Sequence, residues 1–199
     1  MFFSPEFKVD LAWKGQHHLK VGSVLPQNAR QISESLKDFS PESIRNRFLG
    51  GKKEFTPQEL EYFTRLDGIN HYAIGVEESN ETQRGVAIVR LVRSSTDPSE
   101  AEVAIMIIDD FQKMGLGFFL INMIVLAAFE RKIERLSFTF FPQNEGIARL
   151  INKVGTPVAG AHSHDFVQLF LEMKSLPLEK IKAQLAQYLQ SIDTFPIKT

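Results

Sequence analysis

No cysteine occurs among the 199 residues. Disulfides, thiolate nucleophiles and cysteine-held zinc are therefore excluded, and the chain is at ease in a reducing cytosol. Charge of one sign is lacking too. With 23 basic against 24 acidic residues the formal net charge is -1, so no field draws the chain to nucleic acid or to an anionic membrane. The opening residues MFFSPEFKVDLAW carry no charged n-region and only short apolar runs. They do not read as a signal peptide, and a cytoplasmic location is expected. Two nucleotide motifs are missing, since neither Gly-x-Gly-x-x-Gly nor Gly-Lys-Ser/Thr occurs. There is no internal repeat or low-complexity tract. A chain of this length with 43% hydrophobic residues fits one domain with a substantial core.

What is there is organised around AEVAIMIIDDFQKMGLGFFLINMIVLAAF, residues 101–129. Residues 101–108 are rich in Val and Ile, too short for a helix, and predict a strand covered on both faces. Residues 116–129 are apolar at nearly every position except Asn122. They lack β-alternation and fall short of the roughly 20 residues of a membrane span, so they predict a helix buried around most of its surface. Between the two lies Gln112-Lys113-Met114-Gly115-Leu116-Gly117. Gly115 and Gly117 permit positive φ and leave no Cβ in the way, so successive amides can turn toward one ligand. A helix start, with unpaired N–H groups and partial positive charge, suits a phosphate. A plain tight connection is the competing reading.

Residues 1–18 carry Phe2, Phe3, Phe7 and Trp13 among polar residues. They read as an arm that packs its aromatics on the body, with partner binding as an alternative. The adjacent His17 and His18 would point to opposite faces of a strand and could not chelate together. A strand is predicted over residues 19–25 and a helix over 26–36, followed by helix starts at Ser40-Pro41 and at the capping box Thr56 to Glu59. Residues 45–53 form a basic connection between those helices, either a solvated loop or a piece of the acceptor or partner surface. Strands follow over 71–77 and 84–93, making a meander with the central strand, and another over 135–141. A helix over 143–154 ends at Gly155 and a last strand covers 165–173. His162, Ser163, His164 and Asp165 have a metal-like composition but read as a turn at the mouth of an acceptor pocket, with no metal expected. Leu178, Ile181, Leu185, Leu189 and Ile192, followed by Pro196, form one helical face that packs on the sheet or forms a dimer. The predicted class is α/β (α+β), a mixed sheet with helices on its faces. The expected division is an arm over 1–18, a domain over 19–173, and a helix with tail over 174–199.

The run Gln112 to Gly117, in its strand-to-helix setting, resembles the coenzyme A pyrophosphate loop of the GNAT acyltransferases: Gln or Arg, two residues, Gly, one residue, then Gly or Ala. The segment from Asn144 to Gly155 resembles the later GNAT signature, in which an Asn opens a helix and a Lys and a Gly close it. Two departures stand out. Ile151 lies where many members place a Tyr that protonates the leaving thiolate, and Thr156 where they have Phe. More narrowly, SVLPQNARQISESLKDFSPESIRNRF and FTPQELEYFTRLDGINHYAIGV are similar to the acetyltransferase domain of the Pat-type protein lysine acetyltransferases, over roughly residues 19–173.

The resemblance implies a mostly antiparallel sheet splayed where coenzyme A binds, and an N-acetyltransferase in which the amine attacks acetyl-CoA directly within a ternary complex. It implies no metal. Main-chain groups of Ile107 and Ile108 would meet the pantetheine and thioester. The loop Gln112, Lys113, Met114, Gly115, Leu116 and Gly117 would hold the pyrophosphate, and Asn144 would contact the coenzyme arm. Glu102 is the candidate general base, because partial burial in an apolar strand would raise its pKa and a glutamate of this strand has that role in the Pat-type enzymes. The acceptor is a protein lysine or a small amine, and the chain a monomer or homodimer. The alternative is a GNAT-like module that binds acyl-CoA or a protein partner without turnover.

Overall fold

The computed structural model of the chain describes residues 2–48 and 50–189; Ile192 and Pro196, the end of the expected apolar face, lie outside them. Alternation starts earlier than expected. In β1, Lys8–Trp13, Val9, Leu11 and Trp13 are buried while Lys8, Asp10 and Ala12 face solvent. That period of two makes a strand of residues read above as an arm. Lys14 and Gly15, both at positive φ, turn it back into β2, His17–Ser23. The aromatics of this stretch do pack inward, since Phe3, Phe7 and Trp13 are buried in the core.

A short 3-10 turn leads to α1, Ala29–Ser35. In α2, Pro41–Phe48, the Ser40 hydroxyl accepts from the Ser43 N–H at 3.2 Å. In α3, Pro57–Thr64, Thr56 and Glu59 close a capping box. Both helix starts lie where their cap residues put them. The reading of residues 45–53 as connection is corrected at its start, because α2 runs on to Phe48. Then come β3, His71–Glu78, β4, Gly85–Arg93, β5, Glu100–Ile107, and α4, Leu116–Glu130. β6 (Arg135–Phe140), α5 (Glu145–Val154), β7 (Val158–His162), β8 (Val167–Glu172) and α6 (Leu178–Tyr188) complete the order. Strand β7 was not expected, because its residues are largely exposed and lack an apolar alternation.

The eight strands form one mixed sheet in the order β1-β2-β3-β4-β5-β6-β8-β7. Every pair is antiparallel except β5 with β6. All residues of α4 from 119 to 128 are buried, so the helix is wrapped by core as its composition predicts. It packs across β3, β4 and β5, with α5 and α6 beside it. The other face of the same strands carries α1 on β4 and α2 on β5. Among the described residues no helix is long and apolar enough to cross a membrane.

One feature of the sheet positions the site. β5 and β6 pair only at Glu100↔Arg135, Ala101↔Leu136 and Glu102↔Ser137, and then part. β4 stays paired with β5 as far as Ala87↔Ile107. The sheet is therefore splayed along the second half of β5, as anticipated.

Candidate functional site

The parted strands open a cleft of about 720 Å³. One wall is β5 from Glu102 to Ile107, the other is Phe138 to Phe140 of β6, and the floor is the start of α4 with one side of α5. At the start of α4, Gly115 has φ +89 and reverses the chain into the helix. The first helical N–H with an acceptor is that of Phe119, to the Gly115 carbonyl at 3.2 Å. Among the described residues, the N–H groups of Met114 to Phe118 are not used by the bonds of the loop. An array of open amides at the positive end of a helix is a ready anion site.

The two glycines do different things. Gly115 supplies the left-handed turn. Gly117 is helical, so its positive-φ reading is corrected: a Cβ there would stand 3.2 Å from Leu150 Cδ2 and 3.3 Å from Ile107 Cδ1. Its bareness lets α4, α5 and β5 converge on the cleft. Lys113 takes φ 58 and is exposed beside the cleft.

Gln112 is at the cleft, but its side chain is spent on the loop. Its Nε2 donates to Ile107 O at 3.0 Å, Ser43 Oγ at 3.0 Å and Asp109 Oδ1 at 2.9 Å. Asp109 also accepts from Ser43 Oγ and the Ser40 N–H. Burial raises the Asp109 carboxyl, and those hydrogen bonds outweigh it and hold it below the usual range. The loop is thus braced against the start of α2.

Hydrogen-bonded and open pairs alternate along an antiparallel ladder. Because the Ile108 N–H donates to Val86 O at 3.0 Å, Ile105 and Ile107 turn their main-chain groups the other way, toward the gap. Ile107 thus faces the gap. Ile108 does not, since it is fully buried with its N–H engaged by β4; Ile105, not singled out from the sequence, faces the gap with Ile107.

Asn144 caps α5, its Oδ1 accepting from the Ile147 N–H at 3.3 Å, and also lines the cleft. Ile151 is fully buried on the core side of α5, whereas Ile147 and Leu150 line the cleft. Glu102 lines the cleft wall but is exposed. The expected partial burial is corrected, because its side chain stands where the strands part and water enters. His162 and His164 are exposed, at and just after the end of β7, and neither lines the cleft.

A second cavity, of about 210 Å³, lies under α1–α3 on the other side of β5. Arg47, Phe48, Ala104 and Met106 line both spaces. Arg90, only 5% exposed, lines the second. Its guanidinium meets His71 Nε2 at 2.7 Å and donates to Phe63 O at 3.2 Å. Burial, then the Arg90 charge, push His71 down to about 4 against a weaker pull from Asp67, so the ring is neutral and accepts. Neither arginine was singled out by itself from sequence, although Arg47 lies in the basic stretch 45–53, one reading of which is a piece of the acceptor or partner surface. The available signal was a charge at Arg90 inside the otherwise apolar run GVAIVRLV.

No protein-family model matches the chain. It is 26% identical over 132 residues to the acetyltransferase Pat of Mycolicibacterium smegmatis, a match spanning 66% of this chain and 39% of that protein. The chain thus spans well under half the length of that curated relative. In structure it is similar to the GNAT domain of PAT from S. lividans, with a TM-score of 0.75 at 20% identity, over 85% of this chain and 99% of that one. It is also similar to the spermidine N-acetyltransferase of Vibrio cholerae, solved with CoA and spermine, with a TM-score of 0.63 at 15% identity, over 79% of this chain and 96% of that one.

Proposed function

On the premise of a GNAT fold, which these likenesses establish, we propose that the chain is an N-acetyltransferase that moves an acetyl group from acetyl-CoA to a primary amine. The observation that carries this reading is the set of open amides at the mouth of α4, facing a cleft made where β5 and β6 part. The fit is favourable: the site has unpaired donors, no Cβ at Gly117, and cationic Lys113, Arg149 and Lys153 around the same cleft. A diphosphate binds the amides of residues 114–118, and the pantetheine arm lies along β5 with the Ile105 and Ile107 N–H groups beside it. Asn144 borders the arm.

The chemical problem is the amine. At a pKa of about 10.4 only about one lysine-like amine in 2,500 is neutral at pH 7, so supplying the free base is worth roughly 4 to 5 kcal/mol. Glu102 accepts the proton, directly or through one water, as the amine nitrogen attacks the thioester carbon. The new C–N bond forms, the C–S bond breaks, the sulfur leaves with the electron pair as a thiolate, and the second proton shed by the nitrogen passes to water or to that thiolate. With a thiol pKa near 8.5, that leaving group needs no tyrosine at position 151. The acceptor is a protein lysine or a small-molecule amine.

Titration calorimetry with acetyl-CoA, followed by release of free thiol with a panel of amines, tests this reading. Binding and amine-dependent thiol release are expected. Binding without release identifies an acyl-CoA-binding module, and absence of binding overturns both.

A further inference from the structure

The buried cations between the two cavities are short of anions. Arg131, the other arginine at 5% exposure, shows how this chain settles a buried guanidinium. It donates to Gly68 O, Ala127 O and Phe3 O at 2.8 to 2.9 Å and lies over the Tyr72 ring. Arg90 has one carbonyl and a neutral imidazole, with its guanidinium over the Phe63 ring at 4.4 Å. Arg47, half-buried, has the Phe48 ring at 5.3 Å and no hydrogen-bond or ion-pair partner among the described residues. The two are close enough that the charge of Arg47 depresses Arg90. Burying a cation without an opposite charge is costly, and placing two together adds repulsion.

The groups facing them complete the picture. The pairs Arg90↔Ala104 and Val92↔Glu102 put Arg90 and Glu102 on one sheet face in diagonal positions, roughly 7–8 Å apart along the ladder. His71, opposite Val92, shares that face, and Tyr62 stands by Arg90. Glu102 is thus the carboxylate diagonal to Arg90 and the one whose charge Arg47 feels, and in the reading above it is reserved for the proton of the amine. Beyond them the second cavity is walled mainly by apolar side chains, among them Val24, Leu36, Phe39, Phe55 and Phe63.

We propose that the acceptor is an α-amino acid with an apolar side chain: its carboxylate lies against Arg47 and Arg90, its side chain in the second cavity, and its amine in the cleft beside Glu102. This deepens, and rests on, the acetyl-transfer reading. An α-amino acid is the amine whose nitrogen and carboxylate sit one carbon apart, which suits a junction where Glu102 faces the cleft, Arg90 faces the second cavity and Arg47 borders both. Arginine's planar fork matches a carboxylate. The same two charges repel a polyamine.

Matched probes test it. L-phenylalanine, 2-phenylethylamine and 3-phenylpropionate share one apolar body and carry both groups, the amine alone, or the carboxylate alone. In calorimetry without coenzyme, 3-phenylpropionate binds at least about tenfold more tightly than 2-phenylethylamine, as charge-assisted hydrogen bonds warrant. Arg47→Gln, at a site where no internal hydrogen bond is lost, removes about tenfold of that affinity, and Arg47→Lys keeps part of it. With acetyl-CoA, kcat/KM for phenylalanine exceeds that for 2-phenylethylamine or spermidine at least about tenfold, and the ratio falls toward one in Arg47→Gln. Equal use of these amines, or carboxylate binding indifferent to Arg47, overturns the inference and leaves acetyl transfer standing. Arg47-dependent carboxylate binding in a chain that does not bind acetyl-CoA has the opposite meaning: the anion site stands and acetyl transfer falls.

Discussion

Replacing Glu102 with Gln removes a proton acceptor and keeps the size of the side chain. If Glu102 is the base, kcat falls by about 10²- to 10⁴-fold while the Kd of acetyl-CoA stays within about twofold; an unchanged kcat would sink that role. His71 makes a second prediction, about acid. Its ring is held down to about 4 by burial and by Arg90, so the folded chain keeps it neutral, whereas unfolding frees it to take a proton near its ordinary 6.5. Protons therefore favour the unfolded chain. The stability contribution is full above about pH 6.5 and is lost as pH falls toward about 4, by roughly 1–2 kcal/mol once screening at a partly exposed ring is allowed for. Urea unfolding at neutral pH and near pH 4.5 should show that loss in the parent chain and a smaller one in His71→Gln. At this scale much was legible in the residues: Asn144, the caps at Ser40 and Thr56, and the loop from Gln112 to Gly117 are local patterns. Arg47 and Arg90 were not, because their meaning lies in each other's nearness and in the lack of an anion between them.

Among elements, the start of α4 is the one on which the proposed acetyl-CoA binding turns. Gly115 at φ +89 makes room for no Cβ-bearing residue without strain of about 1–2 kcal/mol. Gly115→Ala is expected to lower the unfolding free energy by about 1 kcal/mol and to weaken acetyl-CoA by about tenfold or more, since the amides it aims would turn away. Calorimetry and urea melts measure both, and unchanged binding would mean that the amides do not hold the diphosphate. Gly117→Ala meets the flexible ends of Leu150 and Ile107 rather than backbone, so its effect on stability should be the smaller of the two. The helix itself was readable because burial on every side leaves an unbroken apolar run. The edge strand β7 was not, because an exposed strand at the rim of a sheet needs no apolar alternation.

For the whole molecule, ligand and fold are linked. A carrier that binds the folded chain at about 100 times its Kd adds about 2.7 kcal/mol to the unfolding free energy. In a domain of this size that moves Tm by roughly 5–10 °C. Thermal melts with and without acetyl-CoA provide the check, and a Tm that does not move at saturating acetyl-CoA would speak against a cleft built for it. The stretch from β1 to β3 carries no part of the loop, yet its strands set the far edge of the sheet on which β4 and β5 stand.

Local spacing was enough for the central strand, the glycine loop, the buried helix and the mixed sheet, because each is dictated by neighbours within one or two turns of chain. The parting of β5 from β6, the exposure of Glu102, the turning of Ile105 rather than Ile108 toward the gap, and the meeting of Arg47 with Arg90 belong to the tertiary structure. They depend on which strand edges stay paired and which side chains face across the sheet, and those are contacts between residues far apart in sequence.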